Sequence, residues 1–407
     1  MAGMVIIGGG LAAGTAAETL RTEGYDGEIT VITDEAHTPY QRPPLSKGFL
    51  KGDEGLDAVI LHPDDWYREQ RIEVRTSTSA TAVHPDAHTV DLSDGTQLTY
   101  DKLLLATGSS PRVLPIEGHE LPGVHVLRRL DDSEALKAEL ADGGKKLVLI
   151  GSGWIGMEVA ATARQLGNEV TVLERDPVPL AMALGDEMGA VFRGLHEQNG
   201  VDLRTSVNVE RIEGTDRAAG VAVDGQSVPA DLVLIGVGAV PNTKLAEDAG
   251  IDVDRGILTD ASLRTSAPDV FAAGDVANAM HPVLGQRLRS EHWANALNAG
   301  PVAAKAMLGQ DAEHDMIPYF YTDQFDLGME LSGFPPLMKD ASLVIRGDLA
   351  TREFIVFWMQ GARVVGGMNV NIWDVNETVQ QLIRSGAGVD PRALADTEVA
   401  LDSLVTA

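Results

Sequence analysis

The chain has 407 residues, enough for two or three domains with sizeable cores, and its 44% apolar and 23% charged residues are ordinary for a globular protein. A formal net charge of −28 keeps it soluble and sets it against nucleic acid and anionic membrane surfaces, both of which it would repel. It contains no cysteine, which removes disulfides, thiolate zinc sites, iron–sulfur clusters and redox dithiols together; redox work, if any, must use a bound organic cofactor, and no metal site is expected.

No apolar run reaches the roughly 18 residues needed to span a bilayer. Met1–Met4 leads straight into an apolar strand, leaving no room for a signal or transit peptide, so a cytoplasmic protein is expected. From Met4 to Ile7 the chain is apolar, and Gly8-Gly9-Gly10-Leu11-Ala12-Ala13-Gly14 follows, opening a helix of small residues to about Arg21. A second β-branched strand, Ile29–Ile32, then ends on Asp34 and Glu35. This is the order of a βαβ dinucleotide unit. Gly8 allows the tight turn, Gly10 lets the backbone approach a pyrophosphate, Ala13 permits close helix–strand packing, and the acids can accept from ribose hydroxyls.

Residues 37–50 hold three prolines and read as a rigid loop, with Ser46 as a possible cap for a short helix beyond. Arg42 and Lys47 are its cations, either pyrophosphate ligands or merely solvated charges. Val74–Ala82, His88–Leu92 and Gln97–Tyr100 read as an antiparallel insertion, and Leu103–Gly108 as a separate buried strand stopping at Thr107-Gly108.

A second unit then repeats the first. Lys146–Ile150 is a strand, Gly151-Ser152-Gly153-Trp154-Ile155-Gly156 a full GxGxxG, Met157–Leu166 a helix, and Glu169–Leu173 a strand finishing on Glu174, about 20 residues after Gly153 as a ribose acid should be. Short strands lead from there to Leu232–Gly236, and Gly238 lies in the turn matching Ala106-Thr107-Gly108. The duplication predicts an α/β protein with two Rossmann-like dinucleotide-binding domains, the second inserted in the first: residues 1–110 with 241–318, and residues 111–240. In the returning chain Val270–Ala273 runs into Gly274-Asp275, a carboxylate either for a ligand or for capping the next turn, and a helix spans Glu291–Leu308. Residues 319–407 read as a third, α+β domain, with strands at Tyr319–Phe325, Ser342–Gly347, Glu353–Gln360 and Arg363–Val370 under an amphipathic helix at Trp373–Arg384.

These motifs, together with Tyr40–Lys47, Ala272–Asp275 and Glu291–Ala296, resemble the FAD-dependent NADH:ferredoxin reductases that serve bacterial oxygenases, the family of putidaredoxin, rhodocoxin and biphenyl dioxygenase reductases, which share the glutathione-reductase-like design. The resemblance spans essentially the whole chain. It implies FAD as bound cofactor, NADH as co-substrate and an iron–sulfur ferredoxin as acceptor, in a monomer or homodimer. It also implies roles by position: Gly8, Gly10, Ala12, Ala13, Asp34, Glu35, Arg42, Lys47, Ala80, Thr107, Gly108, Arg128, Asp275 and Trp293 toward FAD, and Gly151, Gly153, Trp154, Ile155, Gly156, Glu174 and Gly238 toward NADH. Glu158, otherwise an ordinary helix carboxylate, would pair with Lys47 near the nicotinamide, the two acting by positioning rather than as acid and base. Glu174 favours NADH over NADPH by repelling a 2′-phosphate, with Arg175 next door as a softening influence. Because both partners would be acidic, Arg287 and Arg289 are the expected ferredoxin contacts. The rival class is an apoptosis-inducing-factor-like, NADH-gated interaction flavoprotein.

Overall fold

The computed structural model describes residues 3–405, so the first two and last two residues of the expected domain spans lie outside it. The chain divides into two compact units. The first comprises the chain up to Arg42 with Val59–Ser110 and Val240–Pro318. The second comprises Pro43–Ala58, Pro111–Ala239 and the chain from Tyr319 on.

In the first unit Gly3–Ile7 lies between Ile29–Ile32 and Gln97–Leu105, parallel to both, with Ile7 opposite Ile32 and Leu105. Ile72–Arg75 extends the sheet beyond Ile29–Ile32, and Val270–Ala272 joins it at Leu103–Leu105. These strands are near-continuous Val, Ile and Leu because both faces of a parallel sheet are covered. The first strand is thus a switch point, with its neighbours reached in opposite directions, and the crevice at its carboxyl end is where such folds take a ligand. Two elements depart from the sequence reading. Gln97–Leu105 is a single nine-residue strand, antiparallel to Thr89–Leu92 over its first half and parallel to Gly3–Ile7 over its second. Ile72–Arg75 belongs to the parallel sheet, leaving Ala80–His84 and Thr89–Leu92 as the insertion. A Tyr100-Asp101-Lys102 step looks like a break between strands in sequence, yet it runs through because each half finds its own partner.

Helix Leu11–Thr22 packs on helix Trp293–Met307 through alanines and Gly300, where an added Cβ would sit 2.1 Å from Thr15 Oγ1. The turn into Leu11–Thr22 is equally tight. Gly8 has φ +136°, and a Cβ there would lie 2.1 Å from the Ala106 carbonyl oxygen. Gly8→Ala is therefore expected to destabilise this unit by about 3 kcal/mol or more, from a backbone region closed to other residues plus a backbone clash; a denaturant titration showing less than about 1 kcal/mol would contradict this.

The second unit repeats the design with the parallel order Asp202–Arg204, Glu169–Leu173, Lys146–Ile150, Leu232–Ile235, Val124–His125. A three-stranded antiparallel sheet, Val209–Gly214, Ala218–Val223 and Gln226–Pro229, covers part of it. Among the helices absent from the sequence reading, the two longest are Leu130–Leu140 and Ala181–Gln198, the latter broken at Gly185 with φ +78°. The segment from Tyr319 forms a five-stranded antiparallel sheet in the order Tyr319–Gln324, Leu327–Gly333, Arg363–Val370, Glu353–Gln360, Ser342–Asp348. Helix Asn376–Ser385 lays Val379, Leu382 and Ile383 on it. Trp373, expected in that helix, precedes it and is half exposed. The loop Pro43–Ala58, expected with the first domain, belongs to the second unit, where Ser133 Oγ donates to Leu45 O at 2.7 Å and Thr162 Oγ1 to Ser46 O at 2.8 Å.

Candidate dinucleotide sites

In the first unit Gly8 N–H donates to Ile32 O at 2.8 Å, which closes the turn and aims the next helix at the crevice. Gly10 caps helix Leu11–Thr22 with no side chain in play, so the N-terminal amides face outward with the partial positive charge of a helix start. Ala13 is fully buried beneath them, as its packing role requires, and Ala12 nearly so. Arg42 hangs over this end: its Nη2 is the nearest heavy atom to where a Gly10 Cβ would be, at 4.0 Å.

Glu35 is gripped on both oxygens. Tyr40 Oη donates to its Oε2 at 2.5 Å and Arg42 Nη2 to its Oε1 at 3.1 Å, while Arg42 Nη1 donates back to Tyr40 Oη at 3.1 Å. Burial opposes the Arg42 charge, but Tyr40, Glu35 and Asp275 outweigh it and hold the guanidinium above its ordinary pKa. Asp34 is exposed beside this cluster. Tyr40, fully buried, opens the Tyr40–Lys47 motif, but its hold on Glu35 was not read from sequence.

Thr107 and Gly108 end the strand Gln97–Leu105 in a clamp: Thr107 Oγ1 donates to Asn242 O at 2.8 Å, Asn242 Nδ2 returns to Thr107 O at 2.8 Å, and Asn242 N–H reaches Gly108 O at 2.9 Å. Asp275 lies in the turn Gly274–Val276, where Ser109 Oγ donates to its Oδ2 at 3.0 Å. The imidazole of His292 is pushed down to about 4 by burial, with Asp275 partly countering, and so stays neutral at physiological pH. Trp293 Nε1 donates to Gln41 Oε1 at 3.1 Å. Ala80 opens the strand Ala80–His84 opposite Leu92.

In the second unit Gly151, with φ +100°, donates to Leu173 O at 2.9 Å. A Cβ on Gly156 would sit 2.6 Å from Gly151 O, which is the close approach the third glycine exists to allow. Gly153 caps helix Trp154–Gln165 with no side-chain bond, and nothing lies within 4 Å of a Cβ placed there. Ile155 is exposed at this end, and Trp154 packs against Phe320 at 4.5 Å between ring centroids. Gly238, φ +103°, accepts from Arg112 N–H at 2.9 Å.

Lys47 and Glu158 form a buried ion pair with Nζ to Oε1 at 2.7 Å; Ser46 Oγ donates to Glu158 Oε2 at 2.5 Å, and Thr322 Oγ1 to Oε1 at 2.6 Å. Ser46 is thus a carboxylate donor and not the expected helix cap. Lys47 Nζ also stands 5.4 Å from the Tyr321 ring, whose hydroxyl is pushed up to about 12 chiefly by burial. Lys47 and Arg128, both expected toward FAD, belong to the second unit, whereas the other FAD candidates are in the first. Arg128 N–H donates to Asp132 Oδ2 at 2.9 Å at the start of helix Leu130–Leu140.

Both glycine loops accordingly fit a dinucleotide pyrophosphate: each starts its helix with no side-chain cap, leaves an open face where a Cβ would stand, and has an acid beyond the second strand. Two such loops in one chain suit an oxidoreductase that moves electrons between two adenine-containing carriers.

Comparison with known proteins agrees. Residues 3–300 match the Pyridine nucleotide-disulphide oxidoreductase family and residues 319–405 the Reductase C-terminal family. The ferredoxin–NAD(+) reductase component of the anthranilate 1,2-dioxygenase system of Burkholderia cepacia is 39% identical, with 98% of each chain covered. Rhodocoxin reductase of Rhodococcus erythropolis is 37% identical over 97% of this chain and 92% of its own. The reductase chain in the covalent putidaredoxin reductase–putidaredoxin complex superposes with a TM-score of 0.95 at 34% identity, covering 99% of this chain and 98% of that one. The chain belongs to the ferredoxin–NAD(+) reductases of the pyridine nucleotide-disulphide oxidoreductase family, whose cofactors are FAD and NADH. Lacking cysteine, it has no disulphide of the kind the family description names.

Proposed function

We propose that the first unit holds FAD and the second NADH, and that the chain passes electrons from NADH to a ferredoxin feeding an oxygenase. The observation that carries this is the pair of open glycine loops at two sheet switch points in a chain without a single cysteine. FAD, once bound, supplies the step from two-electron hydride acceptance to one-electron delivery.

The protein's part is binding, orientation and charge. Arg42 offers its cation above the Gly10 loop, and Glu35, locked by Tyr40, offers a fixed acceptor for a ribose. The Thr107–Asn242 clamp keeps that crevice in one shape, and Ser109 aims Asp275. Lys47 neutralises Glu158, so this pair presents hydrogen bonds without net charge. Among the described residues no helix is long and apolar enough to cross a membrane, and we place the protein in the cytoplasm, where NADH is supplied. The oxygenase-system relatives favour turnover over an NADH-gated interaction role.

Anaerobic addition of NADH to the yellow holoenzyme should bleach it, and an oxidised ferredoxin should restore the colour within the turnover time. A colourless protein, or a reduced form that ferredoxin leaves untouched, would refute the reading.

For docking, the two expected arginines are unequal. Arg287 Nη1 donates to Thr259 O at 2.8 Å and Asn278 O at 3.0 Å, so charge reversal there strips two carbonyls of their donor. Arg289 pairs only with Glu291 among the bonds described. Arg289→Glu is expected to slow ferredoxin reduction about threefold or more at low salt, with the deficit shrinking at high salt and ferricyanide reduction unchanged. Equal loss with both acceptors would remove Arg289 from the docking surface.

A further inference from the structure

In the second unit the acid beyond the second strand is held by the glycine loop itself. Glu174 follows directly on Glu169–Leu173, and its Oε2 accepts both the Ser152 backbone N–H at 2.8 Å and the Ser152 hydroxyl at 2.5 Å. Among the described residues its Oε1 accepts only the Asp176 N–H, at 2.8 Å. Both in-plane lone pairs of Oε2 are thereby taken, and Oε1 keeps one for another donor. The backbone is pinned as well, with Glu174 N–H on Arg204 O at 2.8 Å and Val207 N–H on Glu174 O at 3.0 Å. Ser152 is 1% exposed, so its hydroxyl has no water as an alternative partner.

The first unit meets the same backbone requirement without a serine. Ile7 pairs with Ile32 as Ile150 pairs with Leu173, so Gly9 matches Ser152 and Thr33 matches Glu174. A Cβ on Gly9 would stand 2.1 Å from Thr33 Oγ1, and the acid of that unit, Glu35, lies farther along and is held by Tyr40 and Arg42 instead. A side chain at this position is therefore no requirement of the turn. What Ser152 adds is a second donor to one carboxylate oxygen.

We propose that Ser152 is a positioning residue for coenzyme choice: its hydroxyl locks Glu174 Oε2 so that the carboxylate offers Oε1 in one orientation to the adenosine ribose of NADH. This rests on the reading of the second unit as the NADH site. A glutamate free to change rotamer must be ordered when the ribose arrives, at a cost in affinity; one already ordered avoids it. The same fixed negative charge opposes a 2′-phosphate at that point.

Steady-state kinetics of the holoenzyme with ferricyanide as acceptor, and NADH or NADPH as donor, test this in Ser152→Ala, Glu174→Ala and the double variant. Ser152→Ala is expected to raise KM for NADH about fivefold while kcat moves by less than about twofold, and not to raise KM for NADPH. Once residue 174 is alanine, removing the Ser152 hydroxyl should change nothing more. An unchanged or lower KM for NADH, equal losses with both coenzymes, or full additivity in the double variant would overturn the proposal. If Glu174→Ala leaves the preference for NADH intact, the ribose reading falls and the proposal with it. If Glu174→Ala abolishes the preference and Ser152→Ala does not weaken it, only the bracing role is lost.

Discussion

Replacing Glu158 with alanine is expected to destabilise the second unit by about 3 kcal/mol and to slow flavin reduction by NADH about tenfold. The carboxylate is 4% exposed and serves the Lys47 ammonium and the Ser46 and Thr322 hydroxyls together. Truncation strands three donors at once, one of them charged and mostly out of water, and the stranded charge dominates the loss. Glu158→Gln should be milder in stability, because its amide oxygen can still accept and Asp323 remains as a nearby counter-charge to Lys47. Denaturant titration and stopped-flow bleaching separate the two effects. A Glu158→Ala protein as stable as wild type would mean that Lys47 finds water, contrary to the burial seen.

Gly153→Ala should do the reverse, sparing the fold and damaging coenzyme binding. Among the described residues nothing beyond its chain neighbours stands within 4 Å of a Cβ at Gly153, and its φ of −69° suits any residue, so no strain is introduced. The methyl group would occupy the open face at the helix start, where the pyrophosphate must approach the backbone. KM for NADH is expected to rise about tenfold or more with FAD content and thermal stability preserved. A normal KM would show that the coenzyme does not use this loop. The contrast with Gly8, where a Cβ strikes the Ala106 carbonyl, separates a glycine needed by the chain from one needed by the ligand.

Both glycine loops, the flanking strands and the acids Glu35 and Glu174 were legible from spacing, because a tight turn, a backbone open to phosphate and a β-branched parallel strand each restrict residue type at fixed local offsets. The duplication of the βαβ design was legible for the same reason. Helix Ala181–Gln198 was not, since it begins at a left-handed Leu180 and breaks at Gly185, which blurs its period. The nine-residue strand Gln97–Leu105 was read as two because it serves two sheets in turn, and partner identity leaves no mark on a strand's own sequence.

What local sequence determines here is therefore where a dinucleotide can be met: turns, strand ends and helix starts are properties of consecutive residues. Glu35 finds Tyr40 and Arg42 within its own loop, but the partners of other functional side chains were decided only when distant segments came together. Thr322 on Glu158, Ser109 on Asp275, Asn242 on Thr107 and the membership of Pro43–Ala58 in the second unit all join stretches far apart in the chain. A hydrogen bond of this kind depends on a distance of about 3 Å between atoms whose sequence separation carries no period, so no pattern along the chain announces it. Ser152 stands between the two cases: its place in the glycine loop is local, but its role appears only when the strand end at Glu174 is laid beside it.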